Sequence, residues 1–129
     1  MQGKVLISTP SVLDEFFFKS VILITYYSKK ECVGLILNKP SKLKLSDVFD
    51  LEYLNRFPLY YGGPVEKNTI QYFHTLKDVP ESYKINNELY WGGNFDFILQ
   101  LIKDNKINNS NIRFFIGYSG WGYKQLENE

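Results

Sequence analysis

A chain of 129 residues is the size of one domain, and its 44% hydrophobic and 22% charged residues exclude a disordered polymer. Fifteen basic residues against 14 acidic ones leave a net charge of +1, without the basic excess that phosphate neutralisation demands of a nucleic-acid binder. The single cysteine, Cys32, excludes an internal disulfide and argues against a secreted disulfide scaffold.

Aromatic residues are 17% of the chain, so Tyr and Phe are expected to build the core. Val5-Leu6-Ile7 is soon followed by Pro10, Asp14 and Glu15, which is not the pattern of a signal peptide. The longest apolar run, Val21 to Tyr27, includes Thr25 and falls short of the ~18 residues that span a bilayer. The expectation is therefore a cytoplasmic protein with no membrane association. Lys29-Lys30 and the Lys42/Lys44 pair read as solvated loops.

In chain order, Lys4 to Ser8 reads as a first strand, closed by Thr9-Pro10, and Val12 to Phe18 shows no clear period. Ser20 to Tyr27 and Cys32 to Asn38 are nearly continuous apolar runs, the mark of strands buried on both faces. The polar turn between them makes a hairpin, which Pro40 is expected to close. Ser46 is the expected cap of a short helix reaching about Leu54, with Asp47 in its first turn. Pro58 to Tyr61 and Thr69 to Thr75 read as strands, and in the second Ile70, Tyr72 and His74 share a face.

Lys77 to Asn87 is loop-like, and Leu89 to Trp91 is a short strand. Asn94 caps the clearest helix, Phe95 to Asp104, whose Phe95, Ile98, Leu101 and Ile102 fall on one stripe. Ile112 to Tyr118 is a further buried strand, followed by a glycine-rich turn to Gly122, and the tail from Tyr123 could begin another helix. Hairpins mixed with one or two helices fit an α+β domain with a mixed sheet. Val21, Leu23, Leu35, Leu37, Phe114 and Ile116 are its expected core.

The chemistry-bearing residues are few. One His and one Cys among scattered carboxylates give no metal-ligand spacing, and neither metal nor cofactor is expected. His74 is the sole histidine, so a catalytic serine, Ser20 or Ser119, would have to use it as base. A hydrogen-bonded histidine on a half-buried strand is the plainer reading. Cys32 reads as a buried, inert thiol. Gly62-Gly63-Pro64, Gly92-Gly93 before Asn94, and Gly117 to Gly122 each follow a strand. They serve as turns or as places of close ligand approach, and none matches a phosphate-loop or dinucleotide fingerprint. The Gly92-Gly93-Asn94 turn also opens a helix N-terminus, a feature that favours anions. Trp121, between two glycines, is either packed in its turn or offered to a ligand or partner.

Taken together, these residues resemble the AlgH/YqgE family over nearly the whole chain from Gly3. Gly3-Lys4-Val5-Leu6-Ile7-Ser8 with Pro10 resembles its opening, and Asp14, Phe17, Ser20 and Val21 fit its D-x-x-F-x-x-S-V segment. Gly34-Leu35-Ile36-Leu37-Asn38-Lys39-Pro40 fits G-L-x-L-N-x-P, and Tyr61-Gly62-Gly63-Pro64-Val65 resembles Y-x-G-G-P-V with one residue fewer before the glycines. His74 falls at the family's histidine. Gly117-Tyr118-Ser119-Gly120-Trp121-Gly122, then Gln125-Leu126-Glu127, fits its G-Y-x-G-W…Q-L-E ending.

Two positions depart from the pattern: Glu15 replaces a frequent proline, and Tyr123-Lys124 replaces a frequent Pro-Gly. Family members usually continue through a further helix and a Trp-containing strand, a segment this chain is expected to lack. The resemblance implies a bacterial cytosolic protein whose mixed sheet bends into a bifurcated pseudo-barrel with flanking helices. Some members are labelled transcriptional regulators, and no catalytic residues are agreed for the family. With no helix-turn-helix signature and no basic stripe, direct DNA binding is disfavoured.

A regulatory module for a small ligand or a protein partner is the favoured reading. A small hydrolase using Ser20 or Ser119 with His74 is the alternative, and oligomeric state is left open. The candidate binding residues are Ser20, Asn38, Gly62, Gly63, His74, Ser119, Gly120 and Trp121. Ser20, Asn38 and the Ser119-Gly120-Trp121 segment are expected nearest one another, with His74 apart.

Overall fold

Runs of aliphatic and β-branched residues make the first part of the chain a meander of strands. The computed structural model describes residues 2–7 and 21–122, with β1 at Val5–Ile7, β2 at Val21–Tyr27 and β3 at Glu31–Ile36. β2 pairs antiparallel with both β1 and β3. Ser28 ties the hairpin turn: its Oγ accepts from the N–H groups of Lys30 and Glu31, each at 3.2 Å. Ile22 to Thr25 and Cys32 to Ile36 are buried without alternation, which explains their unbroken apolar sequence. The ambiguous Val12 to Phe18 stretch, Ser20 and the tail from Tyr123 lie outside the described residues.

Pro40 does not end the sheet. It opens β4, Pro40–Lys44, which pairs antiparallel with β5, Pro58–Tyr61. A proline is tolerated at the first residue of a strand, where its missing N–H breaks no ladder bond. The expected helix from Ser46 to Leu54 is also shorter and split. α1 spans Leu45–Phe49, and its N-cap is Lys44 rather than Ser46, with the Lys44 N–H donating to Asp47 Oδ2 at 2.8 Å. Asp50, at φ 51°, turns the chain out of the helix, and a single 3-10 turn follows at Glu52–Leu54.

The second half contributes β6 (Val65–His74), β7 (Tyr83–Lys84), β8 (Tyr90–Trp91), α2 (Phe95–Lys103) and β9 (Ile112–Gly122). β6 starts earlier than its apolar alternation suggests. Its first residues form a bulge, with a register jump between Val65 and Ile70 and Glu66 at φ 48°. β7 lies inside the stretch read as loop. α2 is capped as expected, with Asn94 Oδ1 accepting the N–H of Phe97 at 3.0 Å and Ile98 and Ile102 buried beneath it.

β9 decides the architecture. One of its edges pairs antiparallel with β6, from His74↔Ile112 to Val65↔Tyr118. Its other edge changes partner along its length. Phe114 to Ile116 lie parallel to β5, and Ser119 to Gly122 lie antiparallel to β3. The sheet therefore forks near Gly117, and the glycine-rich segment read as a turn is strand up to Gly122. The main path runs β1-β2-β3-β9-β6-β8-β7, with β5 and β4 as the branch.

The two ends of that path curl back toward each other. Gln2 Nε2 donates to the carbonyls of Lys84 and Ile85, both at 3.0 Å, and Tyr83 Oη donates to Gln2 Oε1 at 3.0 Å. Tyr26 and Tyr83 meet edge to face at 5.5 Å. The result is one α+β domain, a bifurcated, curled mixed sheet with few helices, as the family resemblance implies.

The larger core lies between α1, α2 and one face of the sheet, around Leu45, Leu54, Phe57, Leu59, Ile98 and Phe114. A smaller one joins Ile22, Ile24, Cys32 and Ile36. Of the expected core residues, Leu23, Leu35 and Phe114 are buried, and Val21, Leu37 and Ile116 are half-buried. Leu35 has no exposed surface and its Cδ2 stands against the Gly62 backbone. Leu35→Ala should cost about 2–5 kcal/mol in urea unfolding, since the rigid strands around it cannot collapse into the space. A loss below about 1 kcal/mol would show the site to be loosely packed.

Candidate functional site

The motif residues converge first on the fork in the sheet. A Cβ on Gly62 would stand 2.4 Å from the carbonyl oxygen of Gly117, and one on Gly63 would stand 2.2 Å from the carbonyl carbon of Tyr118. A Cβ on Gly117, which sits at φ 70°, would in turn stand 2.5 Å from the carbonyl oxygen of Gly63. All three contacts are to backbone, so no side-chain movement could relieve them. Across this crossing the Gly62 N–H donates to Ile116 O, and the Gly62 carbonyl accepts from Ile36 N–H, both at 2.9 Å. The Gly62 carbonyl also accepts from Ser119 Oγ at 3.0 Å, and Ser119 is fully buried.

Asn38 works at the next corner. Its Oδ1 accepts the N–H of Val21 at 2.8 Å, while Leu37 N–H donates to Val21 O at 2.7 Å. The side chain thus extends the β2–β3 ladder at the point where the chain leaves for β4. Gly62, Gly63 and Ser119 are brought together, and Asn38 is tied to the same strands. Ser20 lies outside the described residues, and Trp121 is placed by its backbone alone, opposite Cys32.

His74 stands elsewhere, at the far end of β6. It has no exposed surface, and its ring stacks against Tyr90 at 5.8 Å and Tyr72 at 6.3 Å. Leu76 N–H donates to Nδ1 at 3.2 Å, which assigns the lone pair to Nδ1 and the hydrogen to Nε2. Nε2–H then donates to Gly92 O at 2.8 Å, with Ser82 Oγ 3.1 Å away. Ser82 Oγ donates to the same carbonyl at 3.1 Å. A serine thus adjoins the histidine, but the nitrogen facing it already carries a proton and cannot act as its base.

The Gly92-Gly93 turn is part of this arrangement. Gly93 O accepts from Tyr72 Oη at 2.6 Å, and a Cβ on Gly93 would stand 2.6 Å from Ser82 Oγ. Asn94 caps α2 with its own side chain. No three His, Cys, Asp or Glu side chains among the described residues are grouped to hold a metal ion.

A cavity of about 620 Å³ opens between β3, β6, β8 and β9. Its walls include Glu31, Glu66, Gln71, Trp91, Tyr118 and Gly120. Gln71 alternates with Ile70 and Tyr72, which pack into the larger core, so the cavity lies on the opposite face of β6. Trp91 Nε1–H donates to Gln71 Oε1 at 3.2 Å, and Gln71 Nε2 donates to Thr69 Oγ1 at 3.1 Å. Burial, reinforced by Glu66 and then Glu31, holds the Tyr118 phenol above its ordinary range. Cys32, also in the wall, is buried, and burial pushes its thiol up to about 11.

Of the sequence candidates among the described residues, Gly120 borders this space. Tyr118 lay within the G-Y-x-G-W motif, but Glu31, Glu66, Gln71 and Trp91 carried no local signal, because long-range pairing of β3, β9 and β6 is what brings them together. The nearest sequence hints are the positions of Glu66 just beyond the Gly62-Gly63-Pro64 motif and of Trp91 just before Gly92-Gly93.

Burial lowers the pKa of His74 below its ordinary 6.5, more than its bonds with Gly92 and Leu76 raise it. The unfolded chain therefore takes up a proton at a higher pH than the folded one. Stability attributable to His74 should be complete above about pH 6.5 and decline as pH falls from there toward the folded-state value. Urea unfolding between about pH 7.5 and 5.5 should show that decline, and His74→Gln, though less stable at neutral pH, should flatten it. A wild-type profile flat over that interval would contradict the buried neutral assignment.

Comparison with known proteins places the chain. A family model described as AlgH-like matches residues 5–129. A UPF0301 protein of Bacteroides fragilis is 42% identical over 129 residues, covering 99% of this chain and 66% of its own length. One from Bacteroides thetaiotaomicron is 40% identical over 130 residues, with the same coverages, 99% and 66%. The chain thus spans just under two thirds of the length of these relatives. The solution structure of the AlgH protein from Pseudomonas aeruginosa has the same fold, with a TM-score of 0.83 at 24% identity over 99% of this chain and 71% of that one. A crystal structure of a Corynebacterium diphtheriae protein gives a TM-score of 0.78 at 27% identity, over 98% and 69%. With its strand fork, its motifs and these matches in agreement, the chain belongs to the AlgH-like family.

Proposed function

We propose that this protein is a regulatory binding module of the cytoplasm, acting through a small ligand or a protein partner and carrying out no reaction of its own. One contrast supports this reading. Asn38 Oδ1, both ring nitrogens of His74 and Ser119 Oγ are engaged in holding backbone, whereas a cavity of ligand size lies open on another face. A nucleophile needs a base with a free lone pair facing it, and neither Ser119 nor Ser82 has one. The regulator label attached to some family members fits an indirect role better than direct DNA reading, because the charge balance lacks a phosphate-binding excess. No helix among the described residues is long and apolar enough to cross a membrane.

Two assays test the reading. With p-nitrophenyl acetate and butyrate, turnover should not exceed that of a non-enzymatic protein control, and Ser20→Ala, Ser119→Ala and Ser82→Ala should leave it unchanged. Saturable turnover abolished by Ser20→Ala or Ser119→Ala would restore the hydrolase alternative, and loss with Ser82→Ala would place a nucleophile beside His74. With duplex DNA, any association should be weak and should vanish by about 150 mM salt, as screening removes a purely electrostatic contact. A sequence-specific footprint persisting at that salt would establish a direct regulator instead.

A further inference from the structure

On the binding-module reading above, we propose that the cavity between β3, β6, β8 and β9 is a site for an organic cation, an ammonium or guanidinium group. Glu31 comes from the start of β3 and Glu66 from the bulge of β6, and both carboxylates act on the same Tyr118 phenol. Neither carboxylate is hydrogen-bonded or ion-paired to a described residue, and no Lys, Arg or His stands among the described walls. Carboxylates gathered on one recess draw cations toward it and repel anions.

Two carboxylates alone would define nothing; the walled space and the indole give them a ligand shape. The Trp91 N–H is held by Gln71, and the ring is braced edge to face against Tyr83 at 6.2 Å. A fixed indole beside carboxylates suits a cation twice over, by attraction to the ring face and by charge-assisted hydrogen bonds. A metal ion is less well served. Calcium takes about six to eight oxygen ligands and zinc four, and no three-group cluster is present among the described residues. The cavity of about 620 Å³ exceeds a lone ammonium and matches a small organic molecule or a long side chain.

The same chemistry has two sources, a free amine or guanidine and a Lys or Arg side chain of a protein partner. Proton–nitrogen NMR spectra distinguish them. The indole N–H signal of Trp91, identified by its loss in Trp91→Phe, is followed while agmatine, an acetylated Gly-Arg-Gly amide, or glutarate is added to about 10 mM. Agmatine or the peptide should move that signal saturably, the tighter of the two naming the source, and glutarate should not. Glu31→Gln/Glu66→Gln should weaken the cation by about tenfold or more, the effect of removing charge-assisted bonds. Both residues are exposed, so the double variant should keep the wild-type Tm.

No saturable shift with either cation, equal affinity in the double variant, or preference for glutarate would overturn the assignment. A parallel set of neutral and anionic fragments separates the two claims. If such fragments move the Trp91 signal where cations fail, the cation class falls and the binding module stands. If nothing moves it, both fall.

Discussion

The fold depends on one close crossing of backbone. Where the chain leaves β5 at Gly62-Gly63, it runs so near Gly117-Tyr118 on β9 that a single added carbon at any of the three glycines would overlap main-chain atoms. That proximity lets β9 give up β5 as its neighbour after Ile116 and take β3 from Ser119 onward. Gly117, at φ 70°, supplies the bend, and Ser119 seals the corner by donating to the Gly62 carbonyl. A buried hydroxyl bonded to a buried carbonyl leaves neither group orphaned in a dry junction.

The fork explains why the curled sheet has two unlike faces. One face of β6 and β9 packs on α1 and α2, with Tyr72, Phe114 and Ile98 at its centre. Turning β3 onto the end of β9 brings Glu31 and Val33 toward Glu66, Gln71 and Tyr118 on the other face, which encloses the cavity. The described motif residues thus shape the sheet that borders the cavity. Their own polar atoms hold strands together. His74 plays the same part at the far end of β6, joining the Gly92 turn and the backbone of Leu76 to its strand.

Much of this was legible in the residues. The β2–β3 hairpin, α2 with its Asn94 cap, and the buried Leu35 and Phe114 followed from apolar patterning and capping chemistry, which are local. The family motifs located the important glycines. What local reasoning missed was pairing across distance. Pro40–Lys44 is polar and mostly exposed, so only its partner β5 makes it a strand. Gly117 to Gly122 has the composition of a turn, and pairing with Val65 of β6 at Tyr118 and with β3 from Ser119 onward keeps it extended. The cavity walls went unrecognised for the same reason. Glu31 read as part of a polar turn, and no periodicity connects it to Glu66.

The crossing at the fork is open to a direct measurement, the urea unfolding free energy of Gly63→Ala beside that of Gly120→Ala. The two changes are chemically identical and lie in the same corner of the sheet. At Gly120 an added Cβ meets nothing closer than 3.8 Å, whereas at Gly63 it meets the Tyr118 backbone at 2.2 Å. The account predicts that Gly120→Ala stays within about 1 kcal/mol of the parent, while Gly63→Ala loses more than about 4 kcal/mol or fails to fold. Equal stability of the two variants would contradict it, because the fork would then not require the backbones to touch.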